Sequence, residues 1–278
     1  MKRLILSLLA LLLAAVPASA KGSFEALKCE GFTAHVYNSN DVMKNTSLIV
    51  EGKDGLVLME LPLFKEDFKQ FSDYAAALKK PVRQVVTDYH EGAVPNVPSI
   101  MPQGMPAFIR GEVYSGMMAH FKKTFGDSIV DIPEVQAAEV PFGATVMLAG
   151  VPFTFQKSPS PGFPAANIVI GEKQVYYTHW AFAKAHMNHL QLKTAAAIDA
   201  ELASAKAALN SGCKYFVGGH GGLAGSDAVA FRLEYLETLK KLRAACPTAE
   251  AFAAALKKAY PALPGEEGVT KMAEGLYK

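Results

Sequence analysis

Cysteine is scarce in this chain, limited to Cys29, Cys213 and Cys246. Three thiols close at most one bridge, which excludes a disulfide scaffold and leaves the pairing open. Their spacing contains no C-x-x-C, so a thiol-based metal knuckle or dithiol redox motif is excluded as well. An excess of charge is also lacking: with Lys2 and Arg3 set aside, 26 basic residues face 26 acidic ones. That balance argues against nucleic acid or an anionic membrane surface as a partner. Repeats and low-complexity linkers are missing, so a single domain over residues 21–278 is expected.

Long apolar runs are limited to residues 4–16, which follow Lys2 and Arg3 and are closed by Pro17 and Ala18-Ser19-Ala20. A basic start, a short apolar core and an A-x-A site make a secretory signal peptide of bacterial type. The run is shorter than the ~20 residues a spanning helix needs, and no cysteine follows Ala20 to carry a lipid. The sequence thus predicts cleavage after residue 20 and a periplasmic or secreted product with no integral membrane segment. Half the composition is hydrophobic, enough for a substantial core.

Residues 32–37, 47–51 and 56–61 are β-rich, the last two joined by the turn Gly52-Lys53-Asp54-Gly55. Phe64, Phe68, Phe71, Ala75 and Leu78 recur at helical spacing over 64–80 until Pro81 stops the run, and 82–87 reads as the next strand. A Pro-rich, Met-containing stretch over 94–108 follows, too long to be a plain connector. The sequence then predicts a helix over 112–125 and strands over 145–148, 153–156, 166–170 and 175–178. Further helices are predicted over 195–210, 227–245 and 248–259, with a strand over 214–217. Met101, Met105, Phe108, Tyr114, Met117 and Met118 could line a pocket, though their helical spacing favours core. Asn45-Thr46-Ser47 fits a glycosylation acceptor, but behind a bacterial-type leader it is expected to be a turn.

Three histidines share one setting, each expected just past a strand's C-terminal end: His90 after 82–87, His179 after Thr178, and His220 after Gly218-Gly219. That sheet edge is where loops gather ligands in α/β proteins, and it can bring imidazoles from distant positions to one cation. The glycines of Gly218-Gly219-His220-Gly221-Gly222 permit a sharp turn and close backbone approach. His186 and His189, if helical, share a face but are expected to take supporting roles. His35 and His120, without companions, are expected to be structural.

The order of these motifs resembles the metallo-β-lactamase superfamily from about residue 45 to 222. The matching residues are Asn45-Thr46-Ser47-Leu48, the helix over 64–80, Thr87-Asp88-Tyr89-His90, Ser160-Pro161-Gly162, residues 175–179 and 217–221. The resemblance implies an α/β fold, a four-layer αββα sandwich. It also implies a metal site, with changes. In the family's H-x-H-x-D-H loop this chain has Asp88, His90, Gly92 and Ala93, so the second-metal pair is missing. The middle histidine falls near Pro159, the family's bridging Asp is His179, and the final His is His220. Glu60 stands where a supporting Asp is common. The residues left at ligand positions are Asp88, His90, His179 and His220, a set suited to one Zn or Fe ion. Glu91 is the nearest spare carboxylate for a base.

Two readings follow. In the first, the chain is an exported mononuclear metal-dependent hydrolase of a small ester, lactone or thioester. In the second, it is a non-catalytic periplasmic binding protein that has lost the metal site and reuses the same cleft for a small molecule or a partner. An iron oxygenase-like activity is weaker, because that ligand set is not reproduced.

Overall fold

The structure is a computed structural model that describes residues 21–132, 136–159 and 164–278. The predicted signal peptide and the Ser160-Pro161-Gly162 match lie outside the described residues. The first sheet contains β1 (Ser23–Cys29), β2 (Phe32–Asn38), β3 (Thr46–Gly52), β4 (Gly55–Met59), β5 (Val82–Val86), β6 (Ser99–Pro102) and β7 (Ala137–Val140), paired in that order. Its first four strands form an antiparallel meander, and β5, β6 and β7 add in parallel. The second sheet holds β8 (Thr145–Leu148), β9 (Val151–Lys157), β10 (Ala166–Ile170), β11 (Val175–Trp180), β12 (Tyr215–His220) and β13 (Gly222–Ala224). All its pairs are antiparallel except β11 with β12.

Alternation along the strands produces the layers, because successive side chains leave opposite faces of a sheet. Val36, Leu48, Val50, Val57 and Met59 meet Phe153, Phe155, Ile168, Tyr177 and Val217 between the two sheets. The opposite face of the first sheet, with Tyr37, Ile49, Leu58 and Val85, receives Phe71 and Ala75 of α1 (Lys65–Ala77). On the far side of the second sheet, Tyr176 and Phe216 pack on Ala205 and Ala208 of α4 (Ala195–Asn210) and Val229 of α5 (Ser226–Ala245). Helix, sheet, sheet, helix is the expected αββα order. The C-terminal helices α6 (Ala249–Ala259) and α7 (Val269–Leu276) close a further apolar cluster against α4 and α5 through Phe252, Leu256, Met272 and Leu276. Among the described residues no helix is long and apolar enough to cross a membrane.

The structure refines three expectations. The Pro-rich stretch is structured: it supplies β6 and, with Met105 and Pro106 at its start, α2 (Met105–Ile109), which leads into α3 (Glu112–Phe125). The helix expected to 80 ends at Ala77, because Leu78 caps it and Lys79 turns into the left-handed region at φ +55 ahead of Pro81. Residues 181–190 are not helical. The His186 N–H bonds the Pro264 carbonyl, and the Asn188 side chain accepts from the N–H groups of Leu190 and Gln191, so the backbone donors are spent outside a helix.

Candidate metal centre

The loop after β5 is organised by one carboxylate. Glu60 follows β4 directly, takes φ +52, uncommon for a side-chain-bearing residue, and is fully buried. Its Oε1 accepts the N–H groups of Asp88 and Tyr89, and its Oε2 accepts that of His90 at 3.0 Å. The Ser47 hydroxyl holds the Glu60 carbonyl from β3. Burial works against the Glu60 charge, but the His90 ring and these N–H groups hold its carboxyl below the usual carboxylate range.

That anchorage sets His90 against the ends of two strands in the other sheet. His179 and His220 lie within β11 and β12, at the next-to-last and last positions, rather than just past them as expected. His220, the last residue of β12, also forms a bridge to Asn45, so Asn45-Thr46-Ser47 is the entry to β3 and not a turn. One donor nitrogen from each of His90, His179 and His220 lies within 4.8 Å of the others. Ring centroids are 4.6 Å apart for His90 and His220, 5.0 Å for His179 and His220, and 5.4 Å for His90 and His179.

Hydrogen-bond chemistry identifies the nitrogen of His220 that carries the lone pair. His220 Nδ1 is 3.0 Å from the Met43 carbonyl, which only accepts, so the proton sits on Nδ1 and Nε2 is left bare. His90 Nδ1 stands 3.0 Å from Glu60 Oε2 without the alignment of a hydrogen bond. The two Nε2 atoms face each other at 3.0 Å. At that distance one proton, shared as a hydrogen bond, or one cation can lie between them. Tetrahedral Zn–N bonds of ~2.0–2.1 Å place neighbouring nitrogens ~3.3–3.4 Å apart, between the 3.0 Å of the His90 and His220 pair and the 4.8 Å limit within which all three donors lie. Burial first and then the neighbouring rings push His179 well below 6.5 and His220 down to about 3, which keeps both imidazoles in the neutral, ligating form.

Asp88, the fourth ligand expected from the sequence, is not in this three-nitrogen cluster. It is fully buried, and its Oδ1 accepts the Ala166 N–H at 2.6 Å, joining the loop of one sheet to the first residue of β10 in the other. Burial and then the Glu60 charge raise its carboxyl well above the usual range. Gly92, at a second-metal position of the resembled family, has no room for a side chain: a Cβ there would sit 2.6 Å from the Leu61 Cβ. His35 bonds Tyr74 and Glu51 in a structural role, as expected, and His186 ties its loop to Tyr235 at 2.8 Å. The three cysteines are free.

Sequence reading missed Tyr89 and the Met43 carbonyl. The Tyr89 ring lies 4.7 Å from that of His179, while Trp180 stacks on His220 at 4.7 Å. Tyr89 sits inside the T-D-Y-H stretch and was open to notice, whereas a main-chain carbonyl gives no signal in a sequence. Glycine use around His220 is also sharper than the sequence implied. Gly221 and Gly222 turn the chain at φ +95 and +80, but a Cβ on Gly218 would fall within the Ala181 backbone. Gly218→Ala is expected to destabilise the protein by about 3 kcal/mol through backbone overlap between β12 and the end of β11. Urea unfolding checks this, and an unchanged midpoint would show that the two chains part freely.

No family model matches the chain, and no curated protein matches its sequence. Solved structures do match it in shape. The stereoselective inverting sec-alkylsulfatase Pisa1 from Pseudomonas sp. superposes with a TM-score of 0.63 at 16% identity, over 87% of this chain and 48% of its own. The chain therefore spans about half the length of that enzyme. A metallo-beta-lactamase family protein from Thermus thermophilus gives 0.61 at 14% identity, covering 89% of this chain and 93% of its own. A beta-lactamase domain protein from Burkholderia ambifaria gives 0.60 at 13% identity, with 95% and 88% covered.

Proposed function

On the metallo-β-lactamase fold that these likenesses establish, we propose an exported hydrolase that uses one metal ion held by His90, His179 and His220 to cleave a small ester, lactone or thioester. The observation that carries the proposal is the convergence of three imidazoles, with the Nε2 atoms of His90 and His220 3.0 Å apart beside His179. Three protein ligands leave a coordination position open, as in hydrolytic rather than structural zinc sites. A bound Zn or Fe ion would supply a Lewis acid for the substrate carbonyl and lower the pKa of a water to ~7.

The protein's own groups fix this arrangement. Glu60 holds the His90 ring and its loop, and the Met43 carbonyl holds His220, each keeping the ligating nitrogen turned inward. Asp88 is assigned to joining the two sheets through Ala166, outside the ligand set. Gly92 packed on Leu61 leaves the second-metal position without a donor, which supports one ion rather than two.

Metal analysis of untagged protein, loaded with zinc or ferrous iron and desalted, tests the ligand set. About one equivalent is expected in the parent, falling at least tenfold in affinity in His90→Ala and His220→Ala. Stoichiometry far below one in the parent, or uptake indifferent to both substitutions, would refute it. Trp180 is the single tryptophan and stacks on His220, so its fluorescence should change on metal addition.

A further inference from the structure

Beside the three imidazoles stands a continuous apolar wall. From the ring 4.7 Å from His179, Tyr89 reaches Tyr114 at 5.5 Å and Phe108 at 6.1 Å, and its hydroxyl meets Met117 Sδ at 3.6 Å. Met101, Met105, Ile109 and Tyr114 are the buried base of this cluster, whereas Tyr89, Phe108, Met117 and Met118 are only partly buried. The helical spacing that favours core describes the base, and the same segment also presents a half-exposed aromatic and thioether surface next to a polar cluster.

Among the described residues the exposed large hydrophobics are Val42, Val113 and Met147. Val42 precedes Met43, whose carbonyl orients His220, and Val113 precedes Tyr114, whose hydroxyl bonds the Tyr89 carbonyl and the Glu91 N–H. Two of the three thus flank segments that build the centre. The contiguous, partly exposed face of Tyr89, Phe108, Met117 and Met118 beside convergent polar groups has the composition of a small-molecule site, and unbranched methionines adapt to chains of varied shape.

We infer that the substrate carries an extended apolar acyl or alkyl chain lying on the Tyr89, Phe108 and Met117 wall, with its ester bond over the imidazole cluster. This rests on the hydrolase reading above. In the reaction, water adds across the acyl C–O bond: the water oxygen bonds the acyl carbon, the C–O bond breaks, and the leaving oxygen takes a proton.

Zinc-loaded full-chain protein is assayed with 4-nitrophenyl acetate, butyrate, hexanoate and octanoate. Each buried CH2 is expected to raise kcat/KM by about three- to fourfold until the wall is covered. In Phe108→Ser and Met117→Ser the ratio of octanoate to acetate should fall at least about tenfold, while Met147→Ser, remote from the centre, keeps the parent ratio. Binding of free octanoate against acetate, read by Trp180 fluorescence on the same zinc-loaded protein, should favour octanoate by a similar factor. Tighter octanoate binding without hydrolysis of any ester supports the apolar site and overturns the hydrolase reading. Hydrolysis with a flat chain-length series and equal binding of the two carboxylates overturns the apolar site and leaves the hydrolase reading standing. Absence of both preferential binding and hydrolysis overturns both.

Discussion

Replacement of Glu60 by alanine is expected to destabilise the protein by about 3 kcal/mol or more and to remove high-affinity metal uptake. Three backbone N–H groups, those of Asp88, Tyr89 and His90, end on this one buried carboxylate. Each donor left unsatisfied in the interior costs ~1–3 kcal/mol. Loss of Oε2 also frees the His90 ring, so the metal effect should exceed the effect of an equally destabilising core truncation such as Phe71→Ala, whose side chain packs from α1 onto the first sheet. Glu60→Gln keeps an acceptor oxygen and should fall between parent and alanine. Urea unfolding and zinc titration on the same samples measure both terms. Parent-like zinc affinity in Glu60→Ala would mean that the loop holds its shape without this anchor.

The metal-free protein should lose the stability contributed by its histidines as the solution is acidified. His220 titrates near 6.5 when unfolded but at about 3 in the folded state, and His179 is shifted the same way. A depressed folded value means that the unfolded chain takes up the proton first. The contribution is therefore complete above pH ~6.5 and is lost as the pH falls toward about 3. Because His220 retains some solvent contact, its share is put at about 3 kcal/mol rather than the full value of the shift. Asp88 and Glu201 act in the opposite sense, since burial raises both carboxyls and acidification relieves them. The test is therefore the difference in unfolding free energy between parent and His220→Gln at pH 7, 5.5 and 4. That difference should shrink steadily with acid, and a constant difference would refute the assignment.

Much of the architecture is legible along the chain. Apolar residues at helical spacing mark α1, and the strict runs of α3 and α4 fall where the periodicity places them. Two-residue alternation and turn residues identify most strands of both sheets. β1, β6 and β7 escape this reading because edge position, prolines and short length weaken the pattern, while their pairing partners supply the missing order. Residues 181–190 mislead for a related reason: the carbonyl of Pro264, far along the chain, competes for the backbone there.

The residue types of the centre are determined by sequence alone. Gly92 and Ala93 offer no ligand whatever the fold, and His90, His179 and His220 are donors in any environment. What only the tertiary structure decides is which donors meet. His90 and His220 are 130 residues apart in sequence yet share a 3.0 Å contact, because two sheets pack face to face and bring the ends of β5, β11 and β12 together. The same packing draws Asp88 to Ala166 and leaves it outside the three-nitrogen cluster, and it presses Leu61 into the space beside Gly92. Local periodicity fixes the face on which a side chain lies. Distances between faces of different elements arise only when their cores interlock, so the composition of the site belongs to the sequence and its geometry to the fold.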